Sequence, residues 1–171
     1  ISVIKRVGKI GGVSGAEVAE AVGEDNHIAI AHTRWATHGG VTEQNAHPHL
    51  DCTGKIAVVH NGIINNYQQL RSSLGSHRFA SQTDTETIPH LIEELMEKEG
   101  LGFAAAGLKA ANTTRGRSAF VAVSAQTGQI MAARKGAPLI VGVHENSSEE
   151  FFIASDVTAF LDYTNRVMYL D

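Results

Sequence analysis

The chain has 171 residues, 43% of them apolar and 19% charged, with a net charge of −4. That length suits one domain with a real core, and mild acidity without a basic run argues against a nucleic-acid surface. No apolar stretch is long enough to span a bilayer, no signal-peptide pattern opens the chain, and the single cysteine, Cys52, excludes an internal disulfide framework and fits a reducing, cytoplasmic setting.

Ile1 to Val7 alternates apolar and polar residues and reads as a strand. It begins with neither a leader nor a methionine, so the start is expected to be truncated. Val13 to Val22 reads as a short helix with Ser14 as N-cap, and His27 to His32 as a strand with Ile28 and Ile30 on one face. Thr33 to Asn45 keeps no period and reads as a functional loop. Lys55 to His60 is a short buried strand, and Tyr67 to Leu74 a short helix.

The clearest periodicity runs from Asp84 to Glu97, where Ile88, Leu91, Ile92, Leu95 and Met96 recur at helical spacing. Thr83 and Glu86 have the spacing of a capping box, which would fix the start of that helix. A helix at Phe103 to Ala111 follows. Strands are expected at Ser118 to Ser124, Gln129 to Arg134, Leu139 to Val143 and Phe151 to Ala154, then a helical turn at Asp156 to Leu161 and a last strand at Val167 to Leu170. Regular strand–helix–strand alternation is absent, which favours antiparallel sheets with helices on the outer faces.

Four segments carry the chemistry. In His32-Thr33-Arg34-Trp35-Ala36-Thr37-His38-Gly39, polar and aromatic residues replace the apolar period where a strand ends. Arg34 offers a planar, permanently charged fork suited to a carboxylate; the alternative is a structural ion pair, with Trp35 filling the core. In Asn45-Ala46-His47-Pro48-His49 the two histidines have no acidic or cysteine partner at a recognised metal spacing. The default for them is hydrogen-bonded structural histidines, and no metal is assigned.

In His60-Asn61-Gly62 a strand runs directly into Asn-Gly. The Gly62 N–H beside the Asn61 amide would make two donors for one oxyanion, although Asn-Gly is also the strongest short turn signal. In Ser81 to Glu86, Asp84 is placed in the first helical turn, where the helix dipole favours an ionised carboxylate able to receive an ammonium group; the alternative is a helix-end charge alone. One Arg for a carboxylate, one Asp for an ammonium and an amide pair for an oxyanion together describe a site for an amino acid undergoing acyl transfer.

The runs HTRWATHG, NAHPH, HNGII and TDTE, continued by RKGAPLIVG and IASD, resemble the glutaminase domains of glutamine–fructose-6-phosphate aminotransferases over nearly the whole chain. Amidophosphoribosyltransferases share the layout, but Trp35 and His47 favour the sugar aminotransferases. The resemblance implies an α+β, N-terminal-nucleophile hydrolase fold: a four-layer αββα sandwich of two stacked antiparallel sheets between helix layers, with residues 1–171 forming the glutaminase domain. It implies that Arg34 holds the α-carboxylate of L-glutamine and Asp84 its α-ammonium. Trp35, Thr37 and His38 would belong to a loop closing over the substrate, and Asn61 and Gly62 to the oxyanion hole. No cofactor is implied.

The resemblance also implies that ammonia passes to a sugar-phosphate isomerase domain of a parent chain, a homodimer at full length, making glucosamine-6-phosphate from fructose-6-phosphate. The family's nucleophile is an N-terminal cysteine whose own α-amine, of pKa about 7.7–8.0, acts as base. Ile1 stands at the start here, and Cys52 sits in an expected turn without an α-amine. The chain as given is therefore expected not to hydrolyse glutamine by that route. Two readings compete: a glutamine-binding or regulatory module without catalysis, and a His-rich metallohydrolase.

Overall fold

The computed structural model describes residues 1–9, 12–23, 26–144 and 150–170. Helix α1 (Gly15–Val22) starts where its capping chemistry dictates: the Ser14 hydroxyl accepts the Glu17 N–H and the Glu17 carboxylate accepts the Ser14 N–H, a complete capping box. The helix buries none of its residues.

A four-stranded antiparallel sheet follows the order β1 (His49–Leu50), β2 (Ile56–Gly62), β3 (Ser118–Ser124), β4 (Gln129–Lys135). Between β2 and β3 in sequence lie α2 (Tyr67–Ser73), α3 (Thr87–Glu99) and α4 (Phe103–Thr113). The chain then builds a second antiparallel sheet of order β6 (Phe151–Ala154), β5 (Ile140–Val143), β7 (Val167–Tyr169), with a short 3-10 turn at Val157–Ala159 before β7.

Strands β2 and β3 are covered on both faces, which explains their unbroken apolar runs. On one face Ile56, Val58, Phe120 and Ala122 pack with Ile88, Leu91, Ile92 and Leu95 of α3 and with Phe103, Ala106 and Ala110 of α4. On the other, Val59, Ala119 and Val121 meet Ala137 and Leu139, with Ile153 and Leu170 from the second-sheet region against them. Two antiparallel sheets, the first covered on its outer face by α3 and α4, are thus the observed α+β architecture. Gly107 shows how closely α4 approaches β4, since a Cβ there would lie 1.9 Å from the Met131 sulfur.

Four local expectations differ from the structure. Ile1 to Val7 and His27 to His32 carry no strand, because neither pairs with a described strand; alternation supplies an apolar face but not a neighbour. Helix α3 begins at Thr87 rather than Asp84, with Glu86 as N-cap. The Thr83–Glu86 capping box is absent, because the Glu86 carboxylate is taken by the N–H groups of Ala80 and Ser81 (2.7 Å each) and the Ser81 hydroxyl (2.6 Å). Burial raises the Glu86 pKa, but the nearby His90 ring and the bonds from the Ser81 hydroxyl and the Ala80 and Ser81 N–H groups outweigh it and carry the group down to about 2.

Candidate active site

The loop after β2, the segment before α3 and residues 32–38 converge on one cavity of about 270 Å³. It is lined by Arg34, Trp35, Thr37, His38, Asn61, Gly62 and Asp84, all seven residues singled out by sequence. A wider depression of about 430 Å³ lies between residues 3–6 and α1, and it gathers none of these groups.

Asn61 and Gly62 end β2 rather than turn a hairpin. They pair with Ala119 and Ser118 of β3, and pairing continues as the Ile63 N–H donates to the Arg117 carbonyl at 3.1 Å. The Asn61 Oδ1 accepts from His32 Nε2 at 2.9 Å, which leaves the amide NH₂ to donate elsewhere. Gly62 has φ +118°, and a Cβ would lie 2.1 Å from the Arg117 carbonyl oxygen, so no other residue brings the backbone this close to its neighbour.

Asp84 is 3% exposed and lies three residues before α3, not in its first turn. The carboxylate is held by local bonds: Oδ2 accepts the Ile64 N–H at 2.7 Å, and Oδ1 faces His38 Nδ1 at 3.7 Å. The His38 ring meets Tyr67 edge-on at 4.8 Å.

Arg34 makes no ion pair among the described residues. Its guanidinium donates to the carbonyls of His38 (2.5 Å), Gly39 (3.3 Å) and Gly40 (2.9 Å), so it organises the loop that follows it. Asn45 ties the far end of the loop, donating to the Gly40 carbonyl at 3.0 Å and accepting the Gln82 N–H at 3.0 Å. Trp35 is 89% exposed at the cavity rim, which overturns the core-filling alternative.

His32, His47 and His60 form the cavity floor, with His49 packed against His47 outside the lining. His32 and His47 rings stand 4.1 Å apart, and His47 meets His49 at 5.1 Å. His49 Nε2 is 3.0 Å from the Thr83 hydroxyl, and His60 Nδ1 is 2.9 Å from that of Thr85. Burial, reinforced by neighbouring histidines and Arg34, lowers His47 to about 2; burial and Lys5 lower His49 to about 3. Burial also lowers His32 and His60, with Asn61 and Asp84 respectively opposing it. The floor is therefore neutral and polar at physiological pH. Sequence gave His32, His47, His60, Thr83 and Thr85 no part in the pocket. Their signal, polar residues flanking apolar strands, has meaning only once the strands are placed. Cys52 lies in the turn after β1 and is not among the lining residues.

Residues 32–162, and with them the whole cavity lining, match a family described as a glutamine amidotransferase domain. The chain belongs to that family. The amidotransferase domain is 56% identical over 147 residues to a protein named glutamine–fructose-6-phosphate aminotransferase (isomerizing) from Methanothermobacter thermautotrophicus, covering 84% of this chain and 24% of that one. It is 45% identical to the protein of the same name from Thermus thermophilus, covering 99% of this chain and 27% of the relative. The chain thus spans about a quarter of the length of the curated relatives it matches.

Among solved structures, it resembles a B. subtilis glutamine phosphoribosylpyrophosphate amidotransferase complexed with ADP and GMP. The TM-score is 0.61 at 23% identity, over 81% of this chain and 29% of that one. A second, titled as the allosteric regulatory enzyme of purine biosynthesis, gives a TM-score of 0.65 at 24% identity, over 81% and 30%. These likenesses establish the fold, one shared with those two enzymes. Among the described residues no helix is long and apolar enough to cross a membrane.

Proposed function

We propose that the cavity binds one free L-glutamine, gripping its α-carboxylate with Arg34 and its α-ammonium with Asp84. The observation that carries this reading is that a cation, an anion and the Asn61–Gly62 amide pair line the same cavity. Arg34 keeps N–H donors beyond those spent on the loop carbonyls, so a bound carboxylate would share one guanidinium with the loop carrying Trp35, Thr37 and His38. Binding would thereby order the loop over the substrate. The Asn61 NH₂, oriented by the His32 bond, and the Gly62 N–H would stabilise the oxyanion formed when the side-chain amide is attacked.

In this reading the domain serves hydrolysis of L-glutamine to L-glutamate and ammonia. The ammonia goes to a sugar-phosphate isomerase domain of a longer parent chain, a homodimer, which converts fructose-6-phosphate to glucosamine-6-phosphate. The names of the relatives at 56% and 45% identity, and their greater length, support this acceptor over the phosphoribosyl one. The attacking thiol is not supplied by these 171 residues, whose only cysteine is outside the cavity. The chain by itself should bind glutamine without turning it over. An ammonia-release assay on the purified 171 residues tests this: no release above background is expected, and robust release lost in Cys52→Ala would overturn it.

A further inference from the structure

Away from the cavity, three segments bring together four side chains that glutamine chemistry does not use. The turn after β1 contributes Cys52, the segment before α3 contributes His77, and one face of α3 contributes His90 and Glu93 at i, i+3. Their donor atoms all lie within 4.8 Å of one another. Cys52 Sγ is 3.5 Å from His77 Nδ1 and 3.6 Å from His90 Nδ1. Glu93 Oε2 is 2.9 Å from His77 Nδ1 and 3.3 Å from His90 Nδ1. A tetrahedral Zn²⁺ with Zn–S of about 2.3 Å and Zn–N or Zn–O of about 2.0–2.1 Å has donor-to-donor edges of about 3.3–3.6 Å, so the cluster is close to the size such an ion needs.

The outer contacts point the same way. Each imidazole turns Nδ1 inward; His77 presents Nε2 to the Glu94 carboxylate at 2.9 Å, whereas His90 Nε2 lies 3.8 Å from Glu86 and makes no hydrogen bond. For His77 the carboxylate on the far ring nitrogen fixes the tautomer whose inner nitrogen has a free lone pair, the usual outer shell of a metal-bound histidine. Burial and the Glu93 and Asp51 carboxylates hold the metal-free Cys52 thiol above its ordinary pKa, partly opposed by the Arg78 N–H, which donates to Sγ from 3.4 Å.

We propose that Cys52, His77, His90 and Glu93 form a structural Zn²⁺ site that fastens the turn after β1 to α3. Thiolate, imidazole and carboxylate together suit a borderline-soft divalent ion rather than Ca²⁺ or Mg²⁺. Four protein ligands leave no open position, so the ion would be structural rather than catalytic. One thiolate and one carboxylate neutralise its charge. The turn so fastened is that of the hairpin joining β1 to β2, and α3 is preceded directly by Thr83 to Glu86, so the ion would stiffen two walls of the cavity from outside.

The test is metal content and affinity of the purified chain. About one Zn²⁺ per chain is expected, and the Co²⁺-substituted protein should show thiolate-to-cobalt charge-transfer absorption with tetrahedral d–d bands. Cys52→Ser and Glu93→Gln should each weaken Zn²⁺ binding at least about 100-fold in competition with a chromophoric chelator. Glu94→Gln, which alters only the far side of His77 and a surface pair with Lys98, should weaken it about 10–100-fold. Glu97→Gln on the same helix should leave it unchanged. If the ligand variants fail to fold, the cobalt spectrum of the unaltered chain and Glu94→Gln still decide. Metal-free protein that binds Zn²⁺ no more tightly than Cys52→Ser, or a cobalt complex without a thiolate band, would overturn the proposal and leave a hydrogen-bonded His77 bridging Glu93 and Glu94. Neither readout depends on glutamine binding.

Discussion

The Asp84 carboxylate accepts the backbone N–H of Ile64 at 2.7 Å. Ile64 lies two residues beyond the Asn61–Gly62 end of β2, so one bond joins the segment proposed to hold the substrate ammonium to the segment proposed to hold the oxyanion. Asp84→Asn removes the charge while keeping an oxygen for the Ile64 N–H. It should weaken L-glutamate binding about 10–100-fold with little loss of stability. Calorimetry and thermal unfolding on the same samples separate the two effects; unchanged affinity would remove Asp84 from the site.

Arg34→Ala should cost about 1.5–3 kcal/mol of binding through the lost charge-assisted contact. It should also loosen residues 38–40, whose carbonyls the guanidinium now holds. Hydrogen exchange of that loop, with and without ligand, checks the second part: faster exchange in the variant is expected even without ligand.

Trp35 is the only tryptophan and is 89% exposed. If the loop closes over bound amino acid, saturating L-glutamate should shift its fluorescence to shorter wavelength and protect it from a soluble quencher. Binding seen by calorimetry without a fluorescence change would place Trp35 outside the closing loop.

Gly62→Ala tests the close approach of β2 to the Arg117–Ser118 backbone. With φ +118° and a carbonyl oxygen 2.1 Å from the new Cβ, the variant should lose at least about 1 kcal/mol of stability in urea unfolding. Gly128→Ala, at φ +63° with open space around it, should lose less.

His47 and His49 make stability fall on mild acidification. Their pKa values drop from the ordinary 6.5 to about 2 and about 3 on folding. Below about pH 6.5 the unfolded chain takes up protons that the folded chain refuses, at up to about 1.4 kcal/mol per pH unit for each histidine. The loss should run from about pH 6.5 down towards pH 3, with Glu86 adding a loss of the same sign below its ordinary 4.5. Urea unfolding at several pH values checks it, and His47→Gln should flatten the slope.

Much of this was legible in the sequence. The 3.6-residue spacing of Ile88, Leu91, Ile92 and Leu95 gave α3, and the apolar runs at 56–60 and 118–124 gave the central strands, because burial on one stripe or on both faces leaves a periodic mark. What failed needed partners from elsewhere in the chain. Residues 1–7 and 27–32 had the alternation of strands but no neighbour to pair with among the described residues. Thr83 and Glu86 had the spacing of a capping box, yet buried N–H groups at Ala80 and Ser81 took the carboxylate. The histidines of the floor lay in segments the sequence marked, and His90 and Glu93 stand at i, i+3, but their meeting with His60, Cys52 and His77 joins separate segments at no recognisable spacing.

The central claim is that one cavity recognises both charged ends of a free amino acid. Calorimetric titration with L-glutamate, 4-aminobutyrate, which lacks the α-carboxylate, and 2-oxoglutarate, which lacks the α-ammonium, tests it most directly. L-Glutamate should bind, and each analogue should bind at least about tenfold more weakly, with the preference over 4-aminobutyrate vanishing in Arg34→Ala and that over 2-oxoglutarate in Asp84→Asn. Equal affinity for all three would contradict the account.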